Sequence, residues 1–203
     1  MNAMSSQIRK YELKARAEKQ AATRRRIVEA TSALHEEVGP ARTTVAEIAR
    51  RVGVQRLTVY THFPNETDLF DACGQHWMDG NAPPDPSVAL AIHNPGERLR
   101  AVLGPLYRWY RKNARTVENL QRDRLVMPAF DAVMKIRMDR QFASLADVLA
   151  SGFARQGRRA KGVRAAVALA LDFWTWRRLA SEGTSDDAAA ALMVGAAKAA
   201  AQD

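Results

Sequence analysis

The stretch TTVAEIARRVGVQRLTVYTHF, residues 43–63, has the pattern of two short helices joined by a tight turn. Thr44 and Glu47 have the spacing of a capping box, in which the hydroxyl and the carboxylate accept hydrogen bonds from each other's backbone amides. Gly53 falls where the chain must turn sharply, which favours a residue free to adopt a positive φ. Apolar residues precede it at helical spacing, at Val45, Ile48, Ala49 and Val52. These features predict a helix-turn-helix.

The second helix of this pair would bury Val59 and Phe63 and leave its polar side exposed. In a helix-turn-helix the N-terminal residues of the second helix contact bases in the major groove. We therefore predict that Gln55, Arg56 and Leu57 read bases, because glutamine can pair with N6 and N7 of adenine and an apolar side chain can touch a thymine methyl. Phosphate contacts are predicted for Thr44, Thr58, Tyr60 and His62.

The motif T-x-A-E-I-A-x-x-x-G-V-x-x-x-T-x-Y-x-H-F, followed by a helix near Asp68-Leu69-Phe70, resembles the DNA-binding domain of TetR-type transcriptional regulators. The resemblance extends over about residues 24–77. It implies an all-α fold, in which a three-helix DNA-binding domain precedes a helical domain that binds a small-molecule effector and forms a homodimer. It also implies repression of transcription as the default activity, with activation as the alternative.

Two positions depart from the TetR-type pattern. Glu66 stands where these proteins commonly have a lysine that neutralises a DNA phosphate, so this contact would be lost. Gln55 stands where a serine often caps the second helix, and the loss of a cap costs about 1 kcal/mol.

The charge of the chain predicts an anionic partner. The formal net charge is +9 over 203 residues, and residues 1–63 hold 12 Lys and Arg against 6 Asp and Glu. The excess is therefore concentrated around the helix-turn-helix, which favours DNA over the alternative of a membrane surface. No apolar run reaches the roughly 18 residues that a membrane span needs, and Cys73 is the single cysteine. We expect a cytoplasmic protein with no membrane association.

The sequence divides into four segments. Residues 1–22 form a basic leader, which either extends the first helix or remains a flexible arm, and which either contacts DNA or is a solvated end. Residues 23–79 form the DNA-binding domain, whose first helix should end at Gly39-Pro40. Residues 80–96 are rich in Pro and Gly and are predicted to be a linker without regular helix. Residues 97–203 form the effector-binding and dimerisation domain.

Five helical stretches are predicted in the last segment. Pro105 should kink the first of them, and Pro128 fits the first position of the third. The stretches are residues 97–113, 116–124, 128–155, 160–179 and 186–200, with no strand.

Aromatic and methionine side chains gather in this helical segment. The TetR resemblance implies that some of them line an effector pocket, although such residues are also the ordinary filling of a helical bundle. A pocket of this composition would suit an apolar or aromatic effector. The candidate pocket residues are Trp109, Tyr110, Met127, Phe130, Met134, Phe173 and Trp174.

The last two helices carry apolar faces rich in alanine. TetR-like proteins dimerise through two such helices, whereas the alternative is that both faces close the core of one chain. We favour a homodimer, which predicts a palindromic operator with half-sites about 34 Å apart. The predicted interface residues are Val163, Val167, Leu171, Leu192 and Gly195.

The sequence offers little support for an enzyme. It has no glycine-rich phosphate loop, no H-E-x-x-H motif and no G-x-S-x-G motif, and its four histidines lack the spacing of metal ligands. We therefore expect no cofactor, no metal and no catalytic residues. An enzyme or a small-molecule carrier built on the helical C-terminal segment remains the alternative.

Overall fold

The computed structural model describes residues 2–153 and 157–202, and this part of the chain consists of helices joined by turns and short loops, with no strand. Helices α1–α4 form an N-terminal unit and α5–α11 a C-terminal unit. No helix in the described ranges is long and apolar enough to cross a membrane. The helices are α1 Asn2–Glu37, α2 Val45–Val52, α3 Arg56–His62, α4 Glu66–Asn81, α5 Ser87–Leu90, α6 Pro95–Asp123, α7 Pro128–Met134, α8 Arg140–Ser151, α9 Gly157–Leu171, α10 Phe173–Ser181 and α11 Asp186–Gln202.

The helix-turn-helix forms as the sequence predicts. Gly53 ends α2 in the left-handed conformation, with φ 72° and ψ 40°. Thr44 caps α2 by accepting a hydrogen bond from the Glu47 amide at 3.2 Å. The Glu47 carboxylate, however, accepts bonds from Arg50 and Arg51 instead of completing the capping box, and these contacts lower its pKa to about 2. The core of this unit comprises Ile27, Val28, Leu34, Ile48, Ala49, Val52, Val59, Phe63, Leu69 and Cys73.

Helix α1 includes the basic leader. The helix is continuous from Asn2 to Glu37, and the side chains of residues 10–21 are all exposed. At 1.5 Å per residue, this exposed stretch extends about 18 Å along the helix axis. The leader is therefore helical, and of the two conformations considered the extended first helix is the one observed.

The segment 80–96 is more ordered than its proline content predicts. Helix α4 continues to Asn81, and Ser87–Leu90 forms the one-turn helix α5. Asn94 caps α6 by accepting bonds from the amides of Gly96 and Glu97, at 2.9 and 3.1 Å. The prediction of no regular helix was thus wrong at residues 80–81, 87–90 and 95–96.

The breaks in the C-terminal unit agree only in part with the predicted ones. The predicted stretches 97–113 and 116–124 run on as α6 and are divided by a kink at Asn113, whose backbone is not helical, whereas no such departure occurs at Pro105. The stretch 160–179 is divided at Asp172, which caps α10 by accepting a bond from the Thr175 amide at 2.8 Å.

The stretch predicted at 128–155 begins with Pro128 at the start of α7, as expected. A π-helical turn, Lys135–Asp139, separates α7 from α8. The predicted end of the stretch 128–155 lies outside the described residues.

The two units meet at the C-terminal end of α1, which lies against the last turns of α6. Arg115, Asn119 and Arg122 donate hydrogen bonds to the carbonyls of residues 37, 36 and 38, at 2.7, 3.1 and 3.1 Å. The carboxylate of Asp123 accepts a bond from the Ala41 amide at 2.9 Å. We call this set of contacts the α1–α6 junction. It satisfies carbonyls that the end of a helix leaves without partners.

Candidate DNA-binding surface and ligand cavity

The N-terminal end of α3 presents the three predicted base readers to solvent. Gln55, Arg56 and Leu57 are all exposed, and 72% of the Leu57 surface is accessible. Gln55 is the N-cap residue of α3, but its side chain makes no capping hydrogen bond. The amide is therefore available for contact with a base edge.

The residues predicted to contact phosphates differ in exposure. Tyr60 is 53% exposed, and Thr44 is also exposed, whereas Thr58 and His62 are half-buried. Thr44 already accepts the capping bond from Glu47, but its hydroxyl proton remains free to donate to a phosphate.

Two arginines of α1 hold the helix-turn-helix against the first helix. The Arg26 guanidinium donates to the carbonyl of Val52 at the end of α2. The Arg24 guanidinium lies 4.5 Å from the ring centroid of Phe63, just after α3, which is the geometry of a cation–π contact. Sequence patterns did not single out these two residues, because their partners are distant along the chain.

A cavity of about 260 Å³ lies between the two units. Helices α1 and α4 form one side of it, and α6, α7 and the π-helical turn form the other. Three of the predicted pocket residues, Trp109, Phe130 and Met134, line it. Its apolar wall also includes Phe70, Trp77, Val117, Leu120, Val133 and Met138.

The other predicted pocket residues lie elsewhere. Tyr110 and Phe173 line a separate cavity of about 290 Å³ beside α8 and α9. The Tyr110 hydroxyl donates to the carbonyl of Leu171 at 2.7 Å. Met127 packs beside the apolar cluster around Phe130 without lining the 260 Å³ cavity, and Trp174 is 43% exposed.

The polar groups of the 260 Å³ cavity were not found from the sequence. His35 and Ser32 enter its wall from α1, and Thr116 and Gln121 enter from α6. Arg124, a nearby cation of the C-terminal unit, is engaged in ion pairs with Asp131 and Asp139 at 2.8 and 2.6 Å.

His35 is buried in a neutral form. Burial lowers its pKa to about 4, although the nearby negative charge of Asp123 acts in the opposite direction. Because the folded state then binds a proton less readily than the unfolded chain, the free energy of unfolding should fall as the pH drops from about 6.5 towards 4.

This linkage predicts a loss of stability in mild acid. Lowering the pH from 7 to 5 should reduce the free energy of unfolding by about 2 kcal/mol through His35, as measured by urea denaturation at both pH values. The variant His35→Phe should lose most of this pH dependence. The variant His76→Gln, at an exposed position on α4, should retain it. An unchanged pH dependence in His35→Phe would assign the effect to other groups.

The predicted dimer residues divide into two sets. Val163 and Val167 are fully buried within one chain and Leu171 is 3% exposed, so these three side chains are already covered by the chain's own core. Leu192 is 56% exposed, and Gly195 is exposed as well.

Comparisons with known proteins agree with this architecture. Residues 27–73 match the family model described as bacterial regulatory proteins, tetR family. The HTH-type transcriptional regulator BetI of Yersinia pestis (strain Pestoides F) is 32% identical over 81 residues, which are 39% of this chain and 41% of that protein. The protein of the same description from Serratia proteamaculans (strain 568) is 33% identical over 82 residues, with the same two shares.

A similar fold has been solved for a TetR-like transcriptional regulator from Rhodococcus sp. RHA1. It has a TM-score of 0.57 at 20% sequence identity, over 87% of this chain and 94% of that one. The chain thus matches the BetI proteins over less than half of their length and the Rhodococcus fold over most of its length.

Helices α1–α4 are therefore a helix-turn-helix DNA-binding domain, followed by a helical C-terminal domain. The N-terminal domain is thus similar to that of the tetR family of bacterial regulatory proteins, and the fold resembles that of a TetR-like regulator over most of the chain. The regulators of this family are DNA-binding transcription factors and not enzymes.

Proposed function

We propose that the protein is a ligand-responsive transcriptional regulator that binds a palindromic operator as a homodimer and represses transcription. The exposed N-terminal end of α3 carries this proposal, because a glutamine amide, a guanidinium and an apolar side chain stand together on the helix that enters the major groove. The excess of positive charge in residues 1–63 supports binding to the phosphate backbone.

The leader is proposed to add phosphate contacts. Its exposed helix carries Lys10, Lys14, Arg16 and Lys19, and cations on a helix that projects from the DNA-binding domain can follow the DNA backbone beyond the major groove. These charges could replace the contact that Glu66 does not supply.

Two variants should distinguish the contribution of base reading from that of phosphate binding. Gln55→Ala should reduce affinity by about 1–3 kcal/mol for an operator with the preferred base and relax the preference at that base pair alone. Tyr60→Phe should weaken binding to all sequences alike, because a phosphate contact carries no sequence information. Fluorescence anisotropy with operators substituted at each position measures both effects. An unchanged base preference in Gln55→Ala would remove this residue from the reading set.

We assign the dimer interface to the exposed face of the last helices. Leu169 of α9 and Leu192 of α11 are each 56% exposed, and Ala188, Ala196 and Ala199 of α11 are exposed at helical spacing. Small side chains of this kind allow helices to approach closely, and exposed apolar stripes favour burial against a second copy.

The effector is proposed to be a small apolar or aromatic molecule that binds in the 260 Å³ cavity. Because α1 and α4 belong to the DNA-binding domain, a ligand that binds one relative orientation of the two domains more tightly shifts the population towards it. The operator affinity then falls by the same factor by which DNA weakens ligand binding.

The central experiment is a titration of the protein onto the DNA that flanks its own gene. Nanomolar binding that is selective over a scrambled DNA of equal length, and that saturates at two protomers per site, supports the proposal. Weak binding that is equal for both DNAs and falls steeply with salt reflects only a basic surface. An enzyme that acts on the ligand would be distinguished by turnover, since an effector is recovered unchanged.

A further inference from the structure

His35 is a buried side chain of the DNA-binding domain that lies in the wall of the ligand cavity. It belongs to the last turns of α1 and is 6% exposed. Its ring centroid is 5.9 Å from that of Phe70, which also lines the cavity. The two rings therefore form part of one wall, opposite the residues of α6 and α7.

One nitrogen of the imidazole is engaged by the protein. The Nδ1 atom lies 3.5 Å from the Sγ atom of Cys73, and the same sulfur lies 3.4 Å from the carbonyl oxygen of Phe70. A thiol has one proton to donate. If the thiol donates to Phe70, the sulfur can accept from Nδ1–H, and both protons then have partners. This arrangement leaves Nε2 as the atom with a free lone pair.

The second nitrogen faces the cavity without a protein partner. Nε2 of His35 has no hydrogen bond to any other side chain or carbonyl that the structure describes. Every fully enclosed side-chain nitrogen or oxygen in the same residues does have a partner. Nε2 is therefore in contact with the open space of the cavity, where a ligand can reach it.

The imidazole of His35 and the thiol of Cys73, which lie together in the cavity wall, are both neutral. The low pKa of His35 keeps its ring neutral at physiological pH. The pKa of the Cys73 thiol is raised to about 12, mainly by burial, so that this group is neutral as well and is not a nucleophile. Of the two charged residues in the lining, Arg137 is held by the Asp71 carboxylate at 2.7 Å and Glu36 is exposed to solvent. A ligand here meets a neutral acceptor in an aromatic wall, which suits a neutral donor.

We propose that Nε2 of His35 accepts a hydrogen bond from the hydroxyl group of an uncharged aromatic ligand, so that the cavity is specific for the phenol class. The ring of such a ligand would pack among Trp77, Trp109 and Phe130, and a cavity of about 260 Å³ restricts it to a small molecule. The inference rests on the proposed ligand response. It adds that the polar anchor of the effector belongs to α1, and hence to the DNA-binding domain itself.

A matched pair of ligands tests the proposal on the unmodified protein. 4-Propylphenol can donate a hydrogen bond, whereas its methyl ether carries a methyl group in place of the hydroxyl proton and cannot. Binding of each can be followed by calorimetry and by the fluorescence of Trp77 and Trp109. The phenol should bind about tenfold more tightly than the ether, since one hydrogen bond to a buried acceptor has this order of effect. Equal binding of the two, or binding of neither, overturns the proposal.

Three variants locate the effect at His35. His35→Phe, which keeps a ring and removes the acceptor, should lose the preference for the phenol over the ether. His35→Gln restores an oxygen acceptor and should recover part of it, and the exposed control His76→Gln should leave it unchanged. A preference that persists in His35→Phe overturns the assignment. If that variant does not fold, the ¹⁵N chemical shift of Nε2 in the unmodified protein must change on binding the phenol and not the ether.

Release of the operator is measured separately, in the presence of the same two ligands. A phenol that binds through His35 without changing operator affinity supports the site and contradicts the proposed ligand response. Conversely, selective DNA binding with no phenol binding contradicts the site and leaves the DNA-binding function intact. The two failures are therefore distinguishable.

Discussion

Replacing Leu192 with arginine is expected to convert the protein into a folded monomer whose affinity for a palindromic operator is lower by about 100-fold or more. Two linked reading heads gain about 10²–10⁴ in apparent affinity over one head, and this gain disappears when the subunits separate. The size of the expected effect follows from the loss of the second reading head and not from any contact between Leu192 and DNA.

The variant should fold because the leucine side chain is not part of the chain's own core. Leu192 is 56% exposed on α11, whereas its neighbours Met193 and Val194 are buried at 8% and 6%. In a homodimer, a guanidinium at this position would meet its own symmetry mate across the two-fold axis or be buried without a partner, and both arrangements are unfavourable.

Sedimentation equilibrium and operator titration measure the two consequences. Val88→Arg is the matched control, because Val88 is 84% exposed on α5, away from the last helices. It should leave both the mass and the operator affinity unchanged. A second test uses Gly195, where an added Cβ meets no described atom within 4 Å apart from its own helix backbone and chain neighbours. Gly195→Trp should therefore separate the subunits without disturbing the monomer. If Leu192→Arg remains a dimer with native affinity, the interface lies elsewhere.

Local sequence signals predicted the DNA-binding domain well. The capping threonine, the turn glycine and the period of the apolar residues act within about one or two helical turns, so their consequences can be read without knowing the fold. Asn65 is a further example, since it caps α4 by accepting a bond from the Asp68 amide at 2.8 Å. The positions of the exposed residues of α3 follow from the same periodicity.

The cavity could not be predicted in the same way, because its walls come from segments far apart in the chain. Trp109 and Phe130, which were named from the sequence, line the cavity, but His35 comes from α1, where a histidine within a helix shows no special pattern. Similarly, periodicity identified apolar residues of α9 and α11, but it did not show which of them lie in the core of the chain and which are exposed. Val163 and Val167 proved to be core residues, and the exposed stripe lies on the other side of these helices.

Replacing Gly39 with alanine is expected to destabilise the protein by about 2–4 kcal/mol. Gly39 has φ 93° and ψ 162°, a conformation that is essentially restricted to glycine and that costs other residues about 1–3 kcal/mol. In addition, a Cβ atom at this position would overlap the Asp123 carboxylate and lie 2.6 Å from Nη2 of Arg122. The substitution therefore disturbs the α1–α6 junction as well as the backbone.

The contribution of the junction can be separated from that of the backbone. Gly183 also has a positive φ, of 78°, but an added Cβ there meets no atom within 4 Å, so Gly183→Ala should show the conformational cost alone. Urea denaturation should then show a larger loss for Gly39→Ala. Since Arg122 and Asp123 hold the end of α1 beside the cavity wall that contains His35, Gly39→Ala should also change the factor by which a cavity ligand weakens operator binding. Equal destabilisation by the two substitutions, with unchanged coupling, would mean that the junction contributes neither to stability nor to communication between the domains.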